Sequence, residues 1–340
     1  MITTLYDINL RPFNTFRISA NCSRFIEYTS IDDIPAVVAS LSDKECFLNI
    51  GAGSNMLFTS DYMGTILHSK ILDVSMSCAD SDYILVKAGS GVTMDELIEQ
   101  CSNSGVWGME NLSGIPGEVG AAAVQNVGAY GVEACDIIDT VECYDIIDRR
   151  FVRFNVSQCG YAYRHSMFKL HENKYRYIIS SVTFRLYAKH SPKIDYGSLK
   201  NEFSDSDIET LTPRQVRDAI IKVRNSKLPL VDEIGSAGSF FKNPVLSKEH
   251  FNIIQKQNPD IPFYEAGNGI KIPAAWLIDQ CGFKGFKHGG AAVWHKQPLV
   301  IVNYSGRATS TEIVELENII IDKVKSKFEV ELSPEVEHIK

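Results

Sequence analysis

Ser113-Gly-Ile-Pro-Gly-Glu-Val-Gly-Ala-Ala-Ala-Val-Gln-Asn-Val-Gly-Ala-Tyr-Gly131 holds five glycines and four alanines in 19 positions. Pro116-Gly117 opens a short helix through Val119 to Val124, and the small residues let backbone approach a flat ligand without side chains intervening. A packed Ala/Gly helix is the alternative, but the text stays glycine-rich from Asn126 to Gly131, where a plain helix stops. Gln125 and Asn126 add amide donors and acceptors suited to a flavin or adenine edge. A second glycine loop, Gly51-Ala-Gly-Ser-Asn-Met56, follows an expected strand over Cys46–Ile50. It approaches the dinucleotide fingerprint GxGxxG, with Asp73 downstream. However, Met56 replaces the third glycine, and a turn over Asp61–Gly64 interrupts the helix that the fingerprint needs. What survives is a turn whose backbone N–H groups, Ser54 and Asn55 suit phosphate, with a tight turn alone as the bland reading. Two such loops suit a large dinucleotide.

Outward from these loops, Arg24–Tyr28 reads as a strand and Ile31–Ser42 as a helix whose Ile34, Val37, Val38 and Leu41 share a face; with Cys46–Ile50 they suggest a small βαβ unit. Strands are expected at 65–67, 71–74, 83–88, 137–145, 151–154 and 177–187, and a helix at Met94–Ser102 with Asp95 and Glu96 in its first turn. Residues 188–213 are rich in Lys, Asp, Ser and Pro and read as a boundary or linker. Beyond them come a helix from Pro213 capped by Thr212, a Gly/Ser-rich stretch (235–239), a helix (247–256), a loop (258–270), a helix (273–281), a strand (299–304) and a long helix (309–327). The fold class is α+β with at least two domains.

The chain of 340 residues is 44% hydrophobic and 22% charged, which excludes disordered, collagen-like and coiled-coil classes. Acidic residues outnumber basic ones 42 to 34, which argues against a nucleic-acid surface and against polybasic membrane attachment. No stretch approaches the ~20 apolar residues of a membrane span. Eight cysteines show no CxxC and no histidine pairing has ligand spacing, so reduced thiols, a cytoplasmic location and no catalytic metal are expected. Ser166-Met-Phe-Lys169 fits SxxK without its companion motifs and is read as chance.

The sequence resembles the UDP-N-acetylenolpyruvoylglucosamine reductases (UDP-N-acetylmuramate dehydrogenases) of bacterial cell-wall synthesis. The matching residues are Asn14-Thr-Phe16, Gly51-Ala-Gly-Ser-Asn55, Gly114-Ile-Pro-Gly117, Gln125-Asn-Val-Gly-Ala-Tyr-Gly131, Tyr163-Arg164, Gly238-Ser-Phe-Phe-Lys-Asn-Pro244 and Pro334-Glu335, in family order along nearly the whole chain. The resemblance implies noncovalent FAD in a fold of the vanillyl-alcohol-oxidase/p-cresol-methylhydroxylase type, plus a C-terminal α+β substrate domain. It implies an FAD-binding region over 1–205 (subdomains about 1–68 and 69–205), a substrate domain over 206–325, and a segment 326–340 returning to the active site. NADPH is implied as co-substrate, UDP-N-acetylglucosamine enolpyruvate as substrate, and a monomer that engages neither nucleic acid nor membrane.

Residue by residue, the resemblance implies catalytic Arg164, Ser239 and Glu335. Cofactor contacts fall on Gly51, Ala52, Gly53, Ser54, Asn55, Ile115, Gly117, Ala121, Ala122, Gln125, Asn126 and Gly128. Substrate contacts fall on Tyr130, Tyr163, Tyr196, Arg224, Lys227, Asn243, Tyr264 and Lys271, with Tyr264 matching the tyrosine lid of the longer class. Taken alone, Ser239 reads as a loop serine, Arg164 as a surface ion-pair residue, and Glu335 as a solvated acid with Glu337 beside it. Lys287-His288 departs from the uncharged residue common in relatives. Another flavin-dependent oxidoreductase and a noncatalytic sugar-nucleotide binder are the rival readings.

Overall fold

The computed structural model describes residues 1–42, 45–204, 206–267 and 269–340. Asp205, at the expected domain boundary, and Asn268, inside the expected 258–270 loop, lie outside the described residues. The chain forms two compact units: Met1–Ile8, Cys22–Ala52 and Met63–Arg224 make the first, and Asn9–Asn21, Gly53–Tyr62 and Asn225–Lys340 the second.

The first unit holds two sheets. A four-stranded sheet orders Ile2–Asn9, Asn21–Tyr28, Tyr62–Ser69 and Phe47–Ile50, the last two parallel. Helix α1, Ile34–Ala39, covers it with Ile34 and Val37 buried and Val38 and Leu41 packed alongside, the face expected from spacing. The expected βαβ pair is thus present with Tyr62–Ser69 inserted between its strands. The turn expected at Asp61–Gly64 is mostly strand, and the strand expected at 71–74 begins only at Val74. A five-stranded antiparallel sheet orders Arg150–Asn155, Ile138–Asp145, Tyr177–Tyr187, Tyr83–Gly89 and Val74–Cys78. Against it pack α2, Met94–Asn103, capped by Thr93, and α3, Val119–Gln125. A Cβ on Gly120 of α3 would lie 2.9 Å from the Cβ of Ser90, so only glycine lets this helix come so close to the sheet.

The segment expected as a linker is folded. Ile194, Leu199, Phe203 and Leu211 are buried with Val216 and Ile220, around a short α4, Ser198–Glu202, and a long α5, Pro213–Lys227. These apolar residues are too widely spaced to show a period in the text, yet they tie α5 to the first unit. The unit therefore extends to Arg224, past the expected 205/206 boundary. Thr212 caps α5 as expected, accepting from the Gln215 N–H.

The second unit has a four-stranded antiparallel sheet ordered Gly235–Ser239, Val300–Asn303, Ala291–Val293 and Lys287–His288. Its helices are α6, Lys248–Gln257, α7, Ala274–Gln280, and α8, Ser310–Phe328, the last with a Thr309/Glu312 capping box. Ile313, Leu316, Ile320, Val324 and Phe328 line one face of α8 and enter a core shared with Phe16, Leu57, Phe240 and Phe241. The Gly/Ser-rich stretch 235–239 is a strand, paired to Val300–Asn303. The expected 258–270 loop contains a hairpin, Tyr264–Ala266 with Gly269–Lys271, to which Val245–Leu246 adds.

Asp95 links α2 to the glycine-rich segment. Its carboxylate takes a two-pronged bond from Arg217 (2.6 and 2.9 Å) and accepts the Gly114 N–H at 2.6 Å. Burial alone would raise the Asp95 carboxyl; the Arg217 and Gly114 hydrogen bonds and the charges of Arg217 and Arg224 outweigh it and hold it below the usual range. Asp95→Asn is expected to lower stability by about 1 kcal/mol at neutral pH, because Arg217 stays buried without its anion while solvent at the 40% exposed Asp95 screens the pair. A carboxyl that titrates lower in the folded state contributes above its unfolded pKa of about 4 and loses that contribution as pH falls through the folded value. In urea unfolding, the gap between wild type and variant should hold above about pH 5 and close on acidification below about pH 4.

Candidate functional site

Within the first unit the glycine-rich elements adjoin. A Cβ on Gly51 would lie 3.3 Å from the Ala121 Cβ and 3.0 Å from Glu118 Oε2, so the strand-end loop and α3 meet across a glycine. Gly51, Ala52, Ala121 and Gly128 are each partly exposed, while Ala122 is buried and Ile115 packs on the core. Gly117 has φ +137°, and its carbonyl accepts from Met94 N at the start of α2. The surface so formed is backbone and methyl groups, which fits the flat rings and the diphosphate of a dinucleotide. The glycine loop at 51 leads into a strand, Met56–Phe58, and not into a helix, which removes the dinucleotide-fingerprint reading.

Asn126 departs from its expected role. It is fully buried and left-handed (φ 45°, ψ 57°) at the end of α3. Its amide donates to Glu133 Oε2 and Ala162 O, and its oxygen accepts from Cys135 N, so the carboxamide is spent inside the protein and does not offer an edge to a ligand. Gln125 remains partly exposed and its oxygen accepts from Lys169 Nζ at 2.7 Å.

Arg164 stands next: its guanidinium donates to Gly128 O at 3.1 Å and packs 5.6 Å from the Tyr163 ring centre. Its backbone is left-handed at φ 54°. Tyr130, Tyr196 and Arg224 also gather here. The two rings meet edge to face at 6.4 Å, and the Tyr130 hydroxyl hydrogen-bonds Arg224. Burial lowers the Arg224 pKa, opposed by Tyr130 and Asp95.

In the second unit, the end of the chain meets Ser239. Ser239 closes its strand at an irregularity opposite Val300, after Gly238 at φ +69°. Lys242 N donates to Ser333 O, Phe241 bridges Pro334, and Glu335 N donates to Phe240 O at 2.8 Å. The backbone of Glu335 is therefore tied to the residue that follows Ser239. Asn55 holds the same segment from the other side: its amide donates to Glu335 O (3.2 Å) and its carbonyl accepts from Glu337 N (3.0 Å). Glu337–Ile339 then runs parallel to Met56–Phe58. Gly53 and Ser54 precede Asn55, and Gly53 is seated against Phe13 O, where a Cβ would lie at 2.2 Å.

The remaining substrate candidates of this unit do not form one group in the described contacts. Asn243 caps α7, its oxygen accepting from Ala274 N. Tyr264 and Lys271 are cross-strand partners in the hairpin. Lys227, at the end of α5, is exposed, and its carbonyl accepts from Trp294 Nε1. Lys287 stacks 3.8 Å from the Tyr304 ring centre, and His288 pairs with Glu315. Among the described residues no cluster of three His, Cys, Asp or Glu is placed to hold a metal ion, and no helix is long and apolar enough to cross a membrane.

Residues 23–150 match the model of an FAD binding domain, and residues 229–339 that of the UDP-N-acetylenolpyruvoylglucosamine reductase C-terminal domain. The chain is 43% identical to the UDP-N-acetylenolpyruvoylglucosamine reductase of Bacteroides fragilis, covering 97% of this chain and 98% of that protein. It belongs to the UDP-N-acetylenolpyruvoylglucosamine reductase family. The reductase of Porphyromonas gingivalis is 42% identical with 98% of both chains covered. The crystal structure of the Thermus caldophilus reductase superposes with a TM-score of 0.66 over 100% of this chain and 99% of that one; at 20% identity it shows the shared fold. The α+β class expected from the sequence is present, with an FAD-binding portion and a C-terminal domain of this family.

Sequence reading missed the structural work of Asn14-Thr-Phe16, although it marked the motif. Asn14 donates to Leu10 O and Ile18 O, Thr15 Oγ1 donates to Ser236 O, and Phe16 O accepts from Asn303. The Asn14 bonds close the segment on itself, the Thr15 bond fastens it to the strand that ends at Ser239, and the Asn303 bond to the neighbouring strand Val300–Asn303. Gly53→Ala meets both a carbonyl at 2.2 Å and a positive φ of 61°, whereas Gly306→Ala, at φ +69° with nothing within 4 Å, meets strain alone. Chemical denaturation should show a loss of about 1 kcal/mol for Gly306→Ala and about 3 kcal/mol or more for Gly53→Ala.

Proposed function

We propose that this protein reduces UDP-N-acetylglucosamine enolpyruvate to UDP-N-acetylmuramate with NADPH, in peptidoglycan precursor synthesis. The observation that carries the reading is the tie between Glu335 and Phe240, which keeps the C-terminal acid one residue from Ser239. The full-length likeness to named reductases supports the substrate, and the FAD binding domain with its adjoining glycine loops supports the cofactor. FAD, when bound, supplies the two-electron chemistry, taking hydride from NADPH and giving it to the methylene carbon of the enolpyruvyl group.

The chain's own residues then manage charge and a proton. Negative charge develops on the carboxylate-bearing side of the substrate, where the Arg164 guanidinium and a protonated Glu335 carboxyl stabilise it by donating hydrogen bonds. The Ser239 hydroxyl gives its proton to the carbon next to the carboxylate, and solvent restores it, so one NADPH and one proton are consumed per product. Arg224 and Lys227 meet the diphosphate, and Tyr130, Tyr163, Tyr196 and Asn243 the enolpyruvyl and sugar groups. Tyr264 and Lys271, on the hairpin, close over bound nucleotide. Gly51, Ala52, Gly53, Ser54, Asn55, Ile115, Gly117, Ala121, Ala122, Gln125 and Gly128 hold the cofactor, while Asn126, bonded within the protein by side chain and backbone alike, supports them from behind as the cap of α3.

The test is an anaerobic visible spectrum of the purified protein. NADPH should bleach a flavin band and the enolpyruvyl sugar nucleotide should restore it. In Ser239→Ala, bleaching should persist while restoration slows by about 10²–10⁴-fold. Restoration by oxygen but not by the sugar nucleotide would indicate an oxidase and overturn the substrate. A protein that takes up no flavin would indicate a binding protein.

A further inference from the structure

One buried ionisable group has no part in this chemistry. His68, on the strand Tyr62–Ser69, is 4% exposed and lies between two carboxylates: Nδ1 is 3.0 Å from Glu27 Oε1, and Nε2 is 3.1 Å from Glu118 Oε1. Each contact needs one hydrogen between its atoms, so the ring bridges two acids from two other elements, the strand Asn21–Tyr28 and the residue that precedes α3. Phe25 packs edge to face against the imidazole at 5.8 Å, an apolar wall that strengthens the electrostatics inside. Glu118 is itself buried at 5% exposure.

The direction of Glu118 matters. Its other oxygen, Oε2, lies 3.0 Å from the place a Cβ on Gly51 would occupy, directly against the first glycine loop. Its charge also reaches Tyr28, whose hydroxyl burial pushes far above the usual range, with Glu118 adding to the rise and a Ser69 hydrogen bond opposing it. A carboxylate here without a cationic or hydrogen-bonding partner would direct negative charge at backbone proposed to receive a diphosphate.

We propose that His68 is a cofactor-positioning residue, which engages Glu118 and so keeps the Gly51 loop receptive to the FAD diphosphate. The inference rests on the FAD reading of the glycine loops and adds a residue outside them. Its signature is a rescue: removing the histidine harms retention because an acid is left behind, so removing that acid's charge restores it.

The experiment measures free FAD released after dilution of purified holoenzymes. His68→Ala should release FAD at least about tenfold faster than wild type, and His68→Ala/Glu118→Gln should return to within about threefold of it. Glu118→Gln alone should hold FAD at least as long as wild type, and this variant decides the matter if His68→Ala does not fold. Unchanged release from His68→Ala, a double variant no better than the single, or tenfold faster release from Glu118→Gln would overturn the proposal. Wild type that carries no flavin would instead overturn the FAD reading beneath it.

Discussion

Three residues of parallel sheet at the chain's end set the position of Glu335. Glu337–Ile339 pairs with Met56–Phe58, and Asn55 grips the segment just before it by both side chain and backbone. A parallel pair cannot be made by a hairpin; it needs a long crossover, here almost the whole chain. The register therefore cannot be chosen locally. It is chosen by burial on either side of the pairing: Ile339, inside the paired strand, is buried and would change face on a slip of one residue, while Leu332 and Val336, in the stretch before it, are anchored in the core of the unit. The placement of Glu335 beside the Ser239 strand follows from that register.

The second unit is assembled from three separated stretches of chain. Asn14 closes its own turn with bonds to residues 10 and 18, and Thr15 and Phe16 then bond the sheet, so the early segment acts as a brace for the Ser236–Ser239 backbone. In the first unit the brace is electrostatic: Asp95 gathers α2, α5 and Gly114 onto one carboxylate. In both units the loops proposed to carry the chemistry are glycine-rich and conformationally permissive, and ordered partners on either side remove that freedom.

What was legible in the sequence is what depends on neighbours a few residues away. The starts of α2, α5, α6 and α8 lie within a residue of where local pattern puts them; Thr93, Thr212, Ser247 and Thr309 each accept from the N–H three residues on, although only Thr212 is recognised as a cap from the sequence. The two glycine loops were legible for the same reason. Gly235–Ser239 was not, because nothing in its small polar side chains favours a strand; its pairing partner, Val300–Asn303, supplies the order. The folded stretch 188–213 was hidden because its buried residues have neither helical nor strand period. Asn126 looked like a ligand group by type, and only its three internal bonds reveal a cap. The His68 bridge was invisible, since Glu27 and Glu118 lie 41 and 50 residues away in the chain.

The docked C-terminal segment is the central claim, and amide hydrogen exchange of the holoenzyme tests it most directly. The N–H groups of Glu335 and Glu337 are bonded to Phe240 O and Asn55 O, and that of Thr59 to Ile339 O. These amides should exchange on the order of a thousandfold or more slower than in an unstructured peptide. Exchange across residues 333–340 at the rate of an unstructured peptide would contradict the account, because Glu335 would then have no fixed place beside Ser239.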